Sequence, residues 1–213
     1  MRRLFAALAL ALTSAPAMAK DCVVLLHGLG RTHWSMIVLQ RSLEDAGYTV
    51  WNEGYPSTRA TVEQLAPVVG EAIEACRAQK AKKIHFVTHS MGGILVRAYF
   101  RDATAPEAGR VVMLAPPNHG SAIVDANRDA WWFRWSTGPA GQQLGTAADS
   151  LPNTLPALPL EVGIIAGRHD GKVSVASTAL AGMKEQLVVD SAHTFIMNSP
   201  TVIRQVKAFL KDG

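Results

Sequence analysis

The stretch VTHSMGG, residues 87–93, places a serine where it could attack a carbonyl group. Ser90 follows a short apolar run and precedes a segment of helical periodicity that begins near Met91. A serine on such a sharp strand-to-helix turn is exposed above the edge of a sheet, which suits a nucleophile in acyl transfer. The usual motif is G-x-S-x-G, and Thr88 replaces its first glycine here. The alternative is a simple helix cap, which would need neither His89 nor the two following glycines.

A serine hydroxyl also needs a base that takes its proton, and seven histidines compete for that role. In this kind of site the chain order is serine, then acid, then histidine. His193 follows the last apolar run, and it alone lies C-terminal to every candidate acid. We therefore expect His193 to be the base, and the alternative is a solvated loop histidine.

The acid that orients this histidine is expected at the carboxyl end of a strand. Asp170, in GIIAGRHDGKVS, lies four residues past an apolar run and could stabilise the charged histidine without taking its proton. Asp190 is only three residues from His193 and is poorly aimed from the same strand exit. Asp125 and Asp149 belong to a segment without predicted strands. We favour Asp170, although Asp-Gly is also a common turn sequence.

The charge that develops on the carbonyl oxygen needs backbone N–H donors. We expect one from Met91, directly after the serine, and one from Leu29, in the loop HGLGRTHW. That loop also resembles part of the dinucleotide motif G-x-G-x-x-G, but His33 occupies the place of the third glycine. Walker and H-E-x-x-H motifs and metal-ligand spacings do not occur in the sequence, so no cofactor and no metal is expected.

Apolar runs of strand length alternate with helical patterns along most of the chain. This alternation predicts a three-layer α/β domain, with a mostly parallel sheet of about six strands flanked by helices. Open sheets of this kind bind ligands at their carboxyl edge, where Ser90 would lie. Pro67 predicts a kink or a later start in the second helix. The predicted strands are 22–26, 48–51, 84–88, 111–115, 162–166 and 186–189, and the predicted helices are 34–46, 62–76, 91–101 and one that starts at Ser199-Pro200.

Residues 116–160, which we call the insert, interrupt this alternation. The insert has no predicted strand, and it contains Trp131, Trp132 and Trp135 before a Gly/Pro-rich passage. A long segment of this kind is usually a functional lid or cap. The alternative is that its aromatic side chains form the core of a small helical insert. Apart from the insert, residues 20–213 are predicted to be one domain.

The N-terminus has the pattern of an export signal. Arg2 and Arg3 precede an apolar run that is too short to span a bilayer, and Ala17-Met18-Ala19 is a cleavage signal. We expect residues 1–19 to be a signal peptide and the mature protein to be secreted or periplasmic. The alternative is a retained membrane anchor.

Cys22 and Cys76 are the two cysteines of the chain, and an oxidising compartment favours a disulfide between them. The first begins a predicted strand and the second ends a returning helix, so both should lie at the same edge of the sheet. The alternative is two buried thiols.

The net charge is +4, or about +2 without the signal peptide, which is too low to indicate a nucleic-acid partner.

Five stretches resemble small lipase-like α/β-hydrolases in their order along the chain: LLHGLGRTHWSM, THSMGG, LAPPNHGS, IIAGRHDGKVS and DSAHTFIMNSP. The resemblance begins at about Asp21 and implies a serine esterase or lipase that forms an acyl-enzyme with a small-molecule or lipid ester. Amide or thioester cleavage, acyl transfer and a catalytically silent binding module remain alternatives. We expect a monomer with at most transient contact with a lipid surface. The resemblance implies a triad of Ser90, Asp170 and His193 and oxyanion donors at Leu29 and Met91.

Overall fold

The apolar runs of the sequence form the strands of one sheet in the computed structural model, which describes residues 19–211. The strand order is β2-β1-β3-β4-β5-β6, and every neighbouring pair is parallel. The predicted fold class is therefore confirmed. The six strands found within the described residues are Cys22–Leu26 (β1), Thr49–Trp51 (β2), Ile84–His89 (β3), Ala108–Leu114 (β4), Val162–Gly167 (β5) and Glu185–Val189 (β6).

Helices cover both faces of this sheet and connect most of its strands. Among residues 19–211, two segments are 3₁₀ helices, His33–Met36 and His193–Asn198. No helix within residues 19–211 is long and apolar enough to cross a membrane. The α-helices of the described residues are Ile37–Asp45 (α1), Val62–Leu65 (α2), Pro67–Ala78 (α3), Met91–Asp102 (α4), Ala122–Asn127 (α5), Trp131–Gln142 (α6), Leu151–Thr154 (α7), Val175–Thr178 (α8) and Pro200–Lys211 (α9).

The predicted signal peptide, residues 1–19, lies outside the described residues except for Ala19. The expected mature N-terminus at Lys20 lies two residues before β1. Cleavage and export therefore stay predictions.

The core has two layers because successive side chains of a strand point to opposite faces. All five residues of β1 are buried. Val24 packs in the layer that includes Ile73 of α3 and Leu95 of α4, whereas Val23 packs in the layer that includes Val206 of α9. Strands buried on both faces read as continuous apolar runs, which is why the sequence pattern located them.

Pro67 divides the second predicted helix in two. Thr61 and Gln64 form a capping box at the start of α2, and α3 then begins at Pro67. Proline has no N–H to donate inside a helix, but it fits the first turn, where the N–H has no helical partner. The predicted interruption is therefore present as a break between two helices.

Strand β4 begins at Ala108 and not at residue 111 as the apolar pattern predicted. Its first residues pair with β3 across an irregularity between Ile84 and Phe86. There the backbone N–H of Arg110 donates to Nδ1 of His85 at 2.9 Å. The side chain of His85 therefore accepts a hydrogen bond from the backbone of β4. Hydropathy does not show such a contact, so the apolar pattern placed the start of β4 too late.

Cys22 and Cys76 are joined by a disulfide, with their Cα atoms 5.9 Å apart. Cys22 is the first residue of β1, and Cys76 lies near the end of α3. The bond therefore lies at the amino edge of the sheet, opposite the edge at which Ser90 follows β3. This is the pairing and the position that the topology predicted.

The insert contains α5, α6 and α7, and it has no strand in the described structure. Phe133 is buried and packs in the main core. The tryptophans differ, because Trp131 is 79% exposed and Trp135 is 83% exposed. Helix α6 thus packs one aromatic side chain inward and presents tryptophans to solvent.

A buried arginine of α4 fastens the insert to the domain. The Arg97 guanidinium donates to the carbonyl oxygen of Asn118 at 3.2 Å and to that of Leu155 at 2.6 Å. These two residues lie near the two ends of the insert. Burial lowers the pKa of Arg97 to about 10, so the side chain is still charged at neutral pH. One cation therefore fastens both ends of the insert to α4.

Candidate active site

Ser90 occupies a strained turn between β3 and α4. Its φ is 52° and its ψ is −122°, a backbone conformation that residues other than glycine rarely adopt. Its backbone N–H donates to the carbonyl oxygen of Leu114 on the neighbouring strand at 2.8 Å. Gly92 lets α4 press against β1, because a Cβ there would lie 2.6 Å from the carbonyl oxygen of Leu26. Strain of this kind often marks a functional site.

Thr88, which departs from the usual motif, is accommodated by Gly93. The threonine is fully buried in β3, and a Cβ on Gly93 would lie 3.2 Å from its Oγ1. The second glycine after the serine therefore leaves space for the side chain that replaces the first glycine of the motif. Oγ1 of Thr88 has no hydrogen-bond partner among the described residues.

Ser90, His193 and Asp170 form a continuous chain of hydrogen bonds. Nε2 of His193 lies 3.0 Å from Oγ of Ser90, and Nδ1 lies 2.7 Å from Oδ2 of Asp170. Since the carboxylate can only accept, Nδ1–H donates to it and Nε2 is left to accept from the serine hydroxyl. The three segments thus place a hydroxyl, an imidazole and a carboxylate in line, the arrangement that a nucleophile, its base and an orienting acid require.

Asp170 uses its two carboxylate oxygens differently. Oδ2 accepts from His193, whereas Oδ1 accepts from the backbone N–H groups of Lys172 and Val173, each at 2.8 Å. Burial alone would raise the pKa of Asp170, but the hydrogen bond and charge of His193 and the two backbone donors outweigh it and lower the pKa. The sequence left open whether Asp170 is a turn residue or contacts the histidine. Its side chain does both.

Asp190, the rival acid, lies away from the imidazole of His193. Its carboxylate is exposed and lies 2.8 Å from Nε2 of His169. It directly follows the last strand, Glu185–Val189. The structure therefore brings Asp170, and not Asp190, to the histidine.

The loop after β1 approaches the turn at Ser90 closely. A Cβ on Gly28 would lie 2.8 Å from Nδ1 of His89 and 3.1 Å from Cβ of Ser90, so only glycine fits between loop and turn. Leu29 follows this glycine and lines the same pocket as Ser90. Met91 is the first residue of α4, where the backbone N–H has no partner within the helix. Both predicted oxyanion donors therefore belong to segments that flank the serine.

Tyr55 and Ser57, which no sequence motif marked, hold this loop in place. The imidazole of His27 stacks on the ring of Tyr55, with centroids 4.1 Å apart, and the Tyr55 hydroxyl donates to the His27 carbonyl oxygen. Ser57 adds a further bond, because its Oγ accepts from the Gly30 N–H at 3.0 Å. Tyr55 and Ser57 lie in the loop after β2, where no periodic pattern could mark them.

A pocket of about 210 Å³ opens beside Ser90 and His193. The insert contributes much of its wall, so the segment without strands borders the pocket beside Ser90. The apolar lining residues are Leu29, Pro117, Ile123, Val124, Phe133, Leu144 and Val173. Polar groups come from Ser121, Ser136, Thr137 and Lys172. Within residues 19–211 no group of three or more His, Cys, Asp or Glu side chains could hold a metal ion.

The sequence model of the alpha/beta hydrolase family matches residues 23–202 of this chain. A search of curated proteins found no significant match. Among solved structures, the mature lipase BlEst2 of Bacillus licheniformis is similar with a TM-score of 0.73 at 16% identity, over 92% of this chain and 94% of that chain.

A monoacylglycerol lipase of Paleococcus ferrophilus is similar with a TM-score of 0.66 at 16% identity, over 90% of this chain and 95% of that chain. A lipase-esterase related protein of Clostridium acetobutylicum is similar with a TM-score of 0.63 at 16% identity, again over 90% of this chain and 95% of that chain. At such identities, these likenesses show a shared fold.

Proposed function

This chain belongs to the alpha/beta hydrolase family, and we propose that it is a serine hydrolase that cleaves carboxylic esters with apolar acyl groups. The observation that carries the proposal is the line of contacts from Asp170 through His193 to Ser90, beside a largely apolar pocket. The similar solved structures, which are described as lipases or as lipase-esterase related, support ester cleavage over other acyl chemistry.

In the proposed acylation step, Oγ of Ser90 attacks the ester carbonyl carbon while Nε2 of His193 takes the hydroxyl proton. The carbonyl electron pair moves to oxygen, and the backbone N–H groups of Leu29 and Met91 stabilise that charge. Asp170 stays ionised and stabilises the imidazolium. When the tetrahedral species collapses, the ester C–O bond breaks and His193 gives its proton to the leaving alcohol.

In the proposed deacylation step, His193 removes a proton from water as the water oxygen attacks the acyl-enzyme. The acyl–Oγ bond then breaks, and the same proton returns to Ser90. These steps use only groups of one chain, so a monomer would suffice. Because the proposed base, orienting acid and N–H donors all belong to this chain, the scheme uses no cofactor.

The pocket and the surface around it suggest the type of ester. A volume of about 210 Å³ lies below the range of about 300–1,000 Å³ of sites for drug-sized ligands, which favours short or medium acyl chains. The exposed tryptophans of the insert would support transient contact with a lipid surface.

The predicted signal peptide and the Cys22–Cys76 disulfide are together the basis for proposing a secreted or periplasmic enzyme.

A fluorophosphonate probe tests the proposal directly, because only an activated serine reacts with it. We expect the folded protein to be labelled at Ser90 and to hydrolyse p-nitrophenyl esters. The Ser90→Ala variant should lose both properties and keep the circular dichroism spectrum and melting temperature. Unlabelled but folded wild-type protein would indicate a silent binding module, and faster turnover of matched amides or thioesters would reassign the bond that is cleaved.

A further inference from the structure

His89 is a buried histidine that contacts two other parts of the site. It is the last residue of β3 and directly precedes Ser90. Its Nε2 lies 3.0 Å from the backbone carbonyl oxygen of His193, although the two residues are 104 positions apart. A carbonyl oxygen can only accept, so Nε2 carries the proton and donates it. This bond fixes which of its two ring nitrogens is protonated.

The opposite side of the His89 ring faces the loop after β1. A Cβ on Gly28 would lie 2.8 Å from Nδ1 of His89, which leaves no space for another side chain. Nδ1 is buried, and it has no hydrogen-bond partner among the described residues. The imidazole therefore fills the gap between the loop that carries Leu29 and the segment that carries His193.

The backbone after β6 is held at two successive carbonyl groups. His89 binds the carbonyl oxygen of His193, and the Arg31 guanidinium donates to that of Thr194 at 2.6 Å. Arg31 is half-buried, whereas His89 is fully enclosed. The position of the His193 imidazole depends on its backbone as well as on Asp170, so these two donors contribute to how Nε2 is aimed at Ser90.

The environment keeps His89 uncharged. Burial, together with the nearby charges of His193 and Arg31, lowers the pKa of His89 to about 3, and the hydrogen bond to the His193 carbonyl and the charge of Asp170 oppose this only in part. The two imidazole rings lie 4.9 Å apart. In the proposed reaction His193 becomes positively charged, and a second cation at this distance would oppose that step.

We infer that His89 is a positioning residue: a neutral donor that holds the main chain of His193 and supports the loop at Gly28 on its other side. The inference rests on the proposed function, because the histidine that it positions is the proposed base. It gives His89 a role of its own next to the nucleophile. Loss of the donor should lower the rate of the chemical step and leave binding of a small ester nearly unchanged.

The test compares His89→Gln with His89→Asn. Both side chains are neutral amides, but only glutamine reaches far enough to place an N–H near the position of Nε2. We expect H89Q to keep kcat within about threefold of wild type. We expect H89N to lower kcat about tenfold or more, the effect of about one unmade hydrogen bond to a buried carbonyl. KM for a short soluble ester should change less than about twofold in both variants.

His85→Asn is the matched control, because His85 is also a buried histidine of β3 but lies toward the opposite edge of the sheet. It should lower the melting temperature about as much as H89N and leave kcat unchanged. The inference is wrong if folded H89N keeps the wild-type kcat, or if H89Q loses as much as H89N. It is also wrong if the loss appears in KM alone.

The same experiment separates this inference from the proposed function. Wild-type protein that neither hydrolyses esters nor is labelled at Ser90 would overturn both. Active wild-type protein with equal rates in H89Q and H89N would overturn only the role of His89. If H89N does not fold, the comparison of H89Q with wild type decides, because a fall of tenfold or more in H89Q contradicts rescue by a neutral donor.

Discussion

The two carboxylate oxygens of Asp170 have different roles, one in a turn and one in the proposed reaction. Because Oδ1 holds two backbone N–H groups and Oδ2 faces His193, the carboxylate is rigid before any substrate binds. The strained φ of 52° at Ser90 is similarly maintained by its surroundings, through the backbone bond to Leu114. At the residue scale, geometry that would be costly in isolation is fixed by neighbouring main-chain groups.

Asp170→Asn tests the acid of the proposed triad. Asparagine can keep the Oδ1 contacts of the turn, but its NH₂ group cannot accept from Nδ1–H, so the histidine would take the wrong tautomer. We expect kcat to fall about 10⁴-fold, the size of the effect for such a change in a serine triad. The assay is single-turnover and steady-state hydrolysis of a p-nitrophenyl ester.

Asp190→Asn is the control for that substitution, because this aspartate lies on the same side of the fold but pairs with His169 in solvent. It should change kcat less than about twofold. A large loss in D190N together with a small loss in D170N would move the role of the acid to Asp190.

The sequence pointed to three residues that the structure brings together, but not to the residues that contact them. Ser90, Asp170 and His193 could be selected because the motif around the serine and the chain order carry that information. The bond from His89 to the His193 carbonyl joins residues 104 positions apart and leaves no local pattern. The compensation of Thr88 by Gly93 likewise depends on how close α4 lies to β3.

At the scale of elements, the insert combines fixed ends with an apolar outer surface. Arg97 binds carbonyl groups near both ends, so a hinged movement of the whole insert would leave a buried cation without its acceptors. Motion is therefore expected within the insert and not at its ends. Helix α6 supplies Phe133 to the pocket and exposes Trp131 and Trp135 to solvent.

The double variant Trp131→Ser/Trp135→Ser tests whether this surface contacts lipid. Each tryptophan could bury about 150–250 Å² in an interface. We therefore expect the double variant to bind phosphatidylcholine vesicles at least tenfold more weakly in a sedimentation assay. Turnover of a monomeric short-chain ester should stay within about twofold, and the rise in rate above the solubility limit of a longer ester should shrink.

Trp34→Ser serves as the comparison, because Trp34 is an exposed tryptophan outside the insert. Vesicle binding that depends on Trp34 as strongly as on the insert would contradict a contact specific to α6. Equal binding by the double variant and wild type would remove the insert from any lipid contact.

Most strands and helices were predictable because each buries a continuous run or an amphipathic face. The insert was predictable only as a region without strands. Helix α6 contains Gly138, whose φ of 62° breaks the helical pattern, and Pro139 follows it. A Cβ at Gly138 would collide with the Thr58 carbonyl oxygen. The path of α6 therefore follows from a contact with a distant loop, which periodicity cannot show.

At the scale of the whole molecule, the disulfide and the proposed active site lie at opposite edges of the sheet. The bond closes a loop with a sequence separation of 54, for which chain entropy suggests a stabilisation of about 4 kcal/mol. Its loss should destabilise the fold as a whole and leave the geometry around Ser90 intact while the protein remains folded.

The Cys22→Ala/Cys76→Ala variant should therefore melt about 8–16 °C lower than wild type and still label at Ser90 at 25 °C at a similar rate. Wild-type protein under reducing conditions is the matched comparison, because it keeps both sulfur atoms in the core. An unchanged melting temperature would contradict the stabilising role, and slower labelling of still-folded protein would show that the bond affects the site.

The separation of Ser90 from His193 also has a consequence in time. The histidine lies 103 positions after the serine, and the ribosome adds about 5–20 residues per second, so the histidine is synthesised about 5–20 seconds after the serine. During that interval the emerging chain holds an ordinary hydroxyl with no base beside it. The proposed hydrolytic activity would begin only when β6 has paired with the sheet and α9 has packed against it. The unfinished chain would therefore not hydrolyse lipids or other esters near the site of synthesis.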